Sequence, residues 1–217
     1  MLRSIKKPNN VSEMSGARKA APPSKAKLPT KVTIAREKLV AKKATIATIW
    51  TIGHSTRPIV EFLDLLDEYL IEAIVDVRRF PSSRKYPQYG TEALAQTLAE
   101  HANSYQWIEP LGGRRPTSPD SLNTAWRNRS FRGYADYMAS PEFAQGLTQL
   151  IELARDARTA IMCAEAVWWR CHRSMIADAL CVQGIEVMHI LDAKHEVLHP
   201  MTSPARIVRG RLSYALP

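Results

Sequence analysis

Short apolar runs alternate with stretches of helical spacing from residue 46 to residue 191, and no other feature of the sequence constrains the fold as much. Residues 47–52 are a β-rich run that stops at Gly53. Ile59, Phe62, Leu63, Leu65, Leu66 and Leu70 then repeat as one face of a helix. Pro58 suits its first turn, with Ser55 or Thr56 as the capping residue. Residues 73–77 are a second strand, and the loop 78–90 is punctuated by Pro81, Pro87 and Gly90. The spacing predicts a helix over 91–102, a strand over 105–108, a loop over 109–122 and a helix over 131–138. Ser140-Pro141-Glu142 supplies a capping hydroxyl, a first-turn proline and a first-turn acid for the next helix. A strand over 159–163, a helix over 171–182 closed by Gly184, and a strand over 186–191 follow. Residues 195–214 read as a hairpin or an extra edge strand.

Strands that are apolar on successive residues are buried on both faces. The predicted fold is therefore α/β, an open, mainly parallel sheet with helices on both faces. No run of about 18 apolar residues occurs, so no membrane span is expected.

Charge divides the chain in two. Residues 1–44 hold twelve Lys or Arg and only two acids, Glu13 and Glu37, whereas the remainder holds eighteen and nineteen. The first segment is rich in Lys, Ala, Pro and Ser and is nearly free of aromatic residues. Such a stretch buries too little apolar surface to offset its ordering entropy. It reads as a disordered basic tail with at most a helical turn over 34–43, ahead of one α/β domain at 45–217. Met14 is an alternative start. A tail of this charge is expected to bind polyanions with a steep salt dependence. The three cysteines, Cys163, Cys171 and Cys181, make no disulfide framework, and the N-terminus lacks the apolar stretch of a secretory signal. Both observations predict a reduced, cytoplasmic protein.

Ligands of open α/β sheets bind beyond the carboxyl ends of the strands. Those ends read Gly53-His54-Ser55, Asp76-Val77-Arg78 and Cys163-Ala164-Glu165. The segment 163–173 adds Cys171, His172 and Arg173 at a predicted helix start, where exposed N–H groups and the helix dipole attract anions. Arg78 and Arg173 are thus candidate anion ligands, with Gly53, His54, Ser55 and Asp76 beside them. Glu165 and His172 are candidate proton carriers, and Cys163 and Cys171 candidate nucleophiles. Cys181 reads as core. Seven residues separate the first two cysteines, which is no standard zinc spacing, so no metal is assigned. Arg78, Arg79, Arg84, Lys85, Arg114, Arg115, Arg127, Arg129 and Arg132 form a second, basic group. Tyr86, Tyr89, Trp126, Phe131 and Tyr134 are interleaved with it as possible stacking platforms for bases.

These motifs together resemble the domain of unknown function 488 family. The carrying residues are Thr51-Ile52-Gly53-His54-Ser55, Asp76-Val77-Arg78 with Pro81 and Ser82, Leu111-Gly112-Gly113, residues 133–138, Cys163-Ala164-Glu165, Cys171-His172-Arg173 and His189-Ile190. The resemblance spans about residues 46–211 and implies a compact α/β domain, with no agreed substrate or reaction. A weaker likeness is to rhodanese-type sulfurtransferases, but the loop after Cys163 lacks glycine and carries Trp168 and Trp169. Three readings follow. The first is an enzyme acting on a phosphate-bearing ligand, such as a nucleotide or nucleic acid. The second is a non-catalytic nucleic-acid-binding module. The third is a thiol-dependent enzyme.

Overall fold

The computed structural model describes residues 48–82 and 84–216. The segment assigned to a basic tail lies outside the described residues. Six strands form one sheet: β1 (Thr48–Gly53), β2 (Ala73–Asp76), β3 (Ser104–Trp107), β4 (Thr159–Cys163), β5 (Glu186–Asp192) and β6 (His195–Leu198). Their order is β3-β2-β4-β1-β5-β6. The first five strands in that order pair in parallel, and β6 closes the edge antiparallel to β5. β7 (Arg206–Val208) and β8 (Arg211–Ser213) make a separate hairpin. The helices are α1 (Ile59–Glu68), α2 (Thr91–Glu100), α3 (Arg129–Tyr137), α4 (Pro141–Asp156) and α5 (Arg173–Val182). Among the described residues no helix is long and apolar enough to cross a membrane.

Side chains alternate between the faces of a strand, and here each face feeds its own core. Trp50, Ile52, Ile74, Ala160 and Met162 meet Phe62, Leu65 and Leu66 of α1 and Leu94 and Leu98 of α2. Ile49, Val75, Ile161 and Val187 meet Tyr134 of α3, Leu147 and Leu150 of α4, and Met175, Ile176 and Leu180 of α5. Both faces are covered, as the unbroken apolar strands require.

Three local expectations need revision. Neither Ser55 nor Thr56 caps α1; Pro58 holds that position without a side-chain bond. Ser55 instead takes a left-handed conformation and its N–H donates to the Ala164 carbonyl, which pins the end of β1 to the loop after β4. Cys171 lies ahead of α5, separated from β4 by a 3-10 turn over Trp168–Arg170. The C-terminal segment forms both an edge strand and a hairpin. Ser140 caps α4 through the Phe143 N–H, and Gly184 follows α5 at φ 78°, as read from the sequence.

The carboxyl edge is sealed by close backbone contact. Gly53 pairs with Cys163, and a Cβ on Gly53 would overlap the Glu165 carbonyl oxygen and approach that of Ala166 at 2.9 Å. Gly53→Ala is therefore expected to destabilise by about 3 kcal/mol, because the neighbours are backbone and cannot repack. Gly184→Ala meets only open space and is expected to cost about 1 kcal/mol for its positive φ. Urea unfolding midpoints of the two variants check this order.

Candidate functional site

The side chains at the carboxyl edge fall into two groups, one on each face of the sheet. On the α1/α2 face, Asp76 and Arg78 follow β2 on one side of the strand. Asp76 accepts from the Arg78 backbone N–H at 3.0 Å and from Nε at 2.9 Å, and Arg78 Nη2 completes the ion pair. Arg78 Nη1 donates to the Tyr89 carbonyl at 2.8 Å and approaches His54 Nε2 at 3.4 Å. Tyr105 donates to Asp76 at 2.8 Å. His54 stacks on Tyr89, with ring centroids 4.1 Å apart. Arg78 is thus neutralised and its donors are occupied. Burial would lower its pKa, but the bonds to Asp76 outweigh this and hold it above the ordinary value. Burial first, and then the Arg78 charge, lower His54 to about 4.

On the α5 face stand Cys163, Cys171, His172 and Arg173. The two sulfurs and a His172 ring nitrogen all lie within 4.8 Å of one another. His172 Nε2 sits 2.8 Å from the Val77 carbonyl oxygen. A carbonyl only accepts, so Nε2 carries a proton, and Nδ1 lies 3.6 Å from Cys171 Sγ, within reach of that thiol's proton. Gly113 closes the far side; a Cβ there would meet the His172 ring at 2.8 Å.

Arg173 is almost wholly buried, and no carboxylate among the described residues pairs with it. Its Nε donates to Cys171 Sγ at 3.4 Å, Nη1 to Thr51 Oγ1 at 3.4 Å and Nη2 to the Glu165 carbonyl at 2.6 Å. A buried guanidinium costs several kcal/mol unless a counter-charge faces it, and the available counter-charge is a thiolate. Burial alone would raise the pKa of Cys171. The Cys163 hydrogen bond, the Arg173 charge and His172 outweigh burial and hold it well below the ordinary thiol value. The shared hydrogen bond with Cys171, then burial, push Cys163 well above that value. The two thiols are thus pushed in opposite directions, Cys171 towards the thiolate and Cys163 away from it.

Two thiols and an imidazole are donors that zinc accepts, and the fold assembles them where the sequence spacing did not suggest it. Arg173, whose Nε reaches Cys171 Sγ, sets a positive charge against any cation bound there.

The remaining expected site residues are placed as follows. Gly53 and Ser55 shape the backbone at the rim. Glu165 offers its carbonyl to Arg173 while its side chain is exposed to solvent. Cys181 is half-buried against the core of the α5 face. In the basic group, Arg79 ion-pairs with Glu109, and Arg115 lies 3.8 Å over the Tyr137 ring. Tyr89 and Tyr134 are core residues, and Trp126 stacks on Phe131 at 4.7 Å. An open groove of about 390 Å³ lies beside Arg115, Asp136 and Tyr137, with no cysteine in its lining.

Of the support behind Arg173, sequence reasoning named Thr51 and His189 only as residues that carry the family resemblance, and it missed His199 and Asp178. An acid at position 178, inside a helix buried from Arg173 to Leu180, was the available signal. It also missed Arg57, which ties the Gly53 and Leu191 carbonyls together across β1 and β5.

A family model described as a domain of unknown function, DUF488, matches residues 58–180. The match is shorter than the resemblance read from the motifs; Gly53, His54, Ser55 and His189 lie outside it. No curated protein and no solved structure matches the chain.

Two outcomes follow for stability. Arg78→Ala leaves Asp76 buried without its cation and is expected to cost about 3–5 kcal/mol, read from urea unfolding. The pair Asp76→Asn with Arg78→Met is expected to recover part of that loss. The pKa values of His54 and His189 are lowered in the folded state, to about 4 and about 2. The unfolded chain then binds more protons below about pH 6.5, so stability is complete above that pH and falls as pH drops towards 4. His54→Gln is expected to flatten this slope in thermal unfolding between pH 6.5 and 4.

Proposed function

The chain belongs to the DUF488 family, and we propose that it is a thiol-dependent enzyme whose nucleophile is Cys171 and whose second thiol is Cys163. The observation that carries this reading is the carboxylate-free Arg173 with its Nε aimed at Cys171 Sγ. A nucleophile, a base and a group that orients the base form the arrangement expected of an activated thiol. Here these are Cys171, His172 Nδ1 and the Val77 carbonyl.

The thiols are 8% and 2% exposed, so the substrate is a small electrophile. With a hydroperoxide, the Cys171 sulfur forms an S–O bond as the O–O bond breaks, and the leaving oxygen takes a proton. The Cys163 thiol then attacks the oxidised sulfur, forming the S–S bond and releasing water. An external thiol reductant returns the pair to the starting dithiol.

The other two readings draw less support. A phosphate-bearing ligand held jointly by Arg78 and Arg173 requires donors that are already engaged, on opposite faces of the sheet. Of the interleaved aromatic residues, Tyr89 and Tyr134 are core and offer no face for base stacking. The basic tail keeps its expected affinity for polyanions as a separate property.

Timed alkylation with iodoacetamide, resolved by peptide mass, tests the proposal. Cys181 is the more open thiol, but burial and then Asp178 raise its pKa. Cys171 is expected to react ahead of Cys181 at pH 7, and peroxide treatment to join Cys163 to Cys171 with loss of two hydrogens. Cys181 reacting first, with no Cys163–Cys171 disulfide after peroxide, overturns it.

A further inference from the structure

We propose that Thr51, His189, His199 and Asp178 are positioning residues, a one-way hydrogen-bond chain that holds Arg173 against Cys171. The inference rests on the reading of Cys171 as the reactive thiol and extends that site to four residues, of which Thr51, His189 and His199 lie outside the family match.

The chain is continuous in distance. Arg173 Nη1 lies 3.4 Å from Thr51 Oγ1, which lies 2.7 Å from His189 Nδ1. His189 Nε2 lies 2.8 Å from His199 Nδ1, and His199 Nε2 lies 2.9 Å from Asp178 Oδ1. All five residues are nearly inaccessible to solvent. Thr51 and His189 are register partners on neighbouring strands β1 and β5, which places both side chains on one face of the sheet.

The direction of the chain follows from its ends. A guanidinium only donates and a carboxylate only accepts. Thr51 has one hydroxyl proton; it accepts from Arg173 and therefore donates to His189 Nδ1. That nitrogen must be bare, so the His189 proton is on Nε2 and is donated to His199 Nδ1. By the same step, the His199 proton is on Nε2 and is donated to Asp178. Burial first, and then the neighbouring His199 and Arg173, lower His189 to about 2, in keeping with a neutral ring.

The far end is anchored by the C-terminal segment. Asp178 also accepts from Thr202 N at 2.9 Å, Thr202 Oγ1 at 2.6 Å and the Tyr214 hydroxyl at 2.7 Å. Trp168, in the loop between the two cysteines, stacks flat on His189 at 4.3 Å and meets the His199 ring edge-on. The chain thus fixes the guanidinium from one side and the cysteine loop from the other. The titratable and charged groups that act on Cys171 or feel it are Cys163, His172, Arg173, Tyr134 and His189. Of these, the chain includes His189 and reaches Arg173, and of those two it is Arg173 that bonds to Cys171 Sγ.

Two measurements on the full chain test the proposal. In Thr51→Val the hydroxyl link is gone, and the Cys171 alkylation rate at pH 7 is expected to fall about ten-fold, with its pH midpoint moved upward. Thr51→Ser is expected to restore both. A folded Thr51→Val variant with unchanged rate and midpoint overturns the proposal, as does a failure of Thr51→Ser to rescue. Nitrogen-15 spectra of the histidine rings of the unsubstituted protein give the second readout, which does not depend on any reaction of Cys171. Protons on Nε2 of both His189 and His199 are expected, and a proton on Nδ1 of either ring overturns the chain. If the spectra are as expected but unsubstituted Cys171 titrates as an ordinary thiol, the thiol-enzyme reading fails and the positioning role fails with it, while the hydrogen-bond chain remains as architecture.

Discussion

A guanidinium sealed inside a protein with no carboxylate beside it must find its counter-charge elsewhere. Arg173 is in that position, and the α5 side of the carboxyl edge is organised around it. Its three donor nitrogens reach a thiol sulfur, a threonine hydroxyl and the Glu165 carbonyl. Each contact joins a different part of the chain to the start of α5: the cysteine that precedes the helix, the middle of β1, and the loop after β4. The tight approach of Gly53 to the Glu165 carbonyl keeps that loop low enough to be reached.

Arg78 makes the contrast. It is also buried, and it comes from the same edge, yet its charge is cancelled by Asp76 two residues away. The Asp76–Arg78 pair, with Tyr89, Tyr105 and His54 packed around it, accounts for its own burial and leaves no charge over for a ligand. The sheet separates the two arginines, so the same residue type ends in one case as architecture and in the other as a charge directed at sulfur. The His172–Val77 hydrogen bond joins the two halves across β2.

Much of the fold was legible because it depends on local pattern. Apolar runs located the strands, helical spacing located α1 and α4, and Ser140 and Gly184 marked helix ends through capping chemistry that acts within a few residues. The cysteine loop with His172 and Arg173 was legible as a cluster of reactive types at a strand end. The division between faces was not, because it depends on strand register and on the inserted position of β4 between β1 and β2. The support from His199, Thr202 and Tyr214 was also hidden. These residues lie 21 to 36 positions from Asp178, in a segment whose strands β6 and β7 are exposed, so their apolar residues do not mark a buried face. The aromatic residues interleaved with arginine read as stacking surfaces in sequence, yet Tyr89 and Tyr134 are the interior of the fold.

The central claim is that Cys171 carries the negative charge that balances Arg173. Thiolate absorbance near 240 nm, followed from pH 4 to pH 9 in the unsubstituted protein and in Cys171→Ser, measures that charge directly. The account predicts a difference of one thiolate that is already present well below the ordinary thiol range. A difference that appears only in the ordinary thiol range would contradict it.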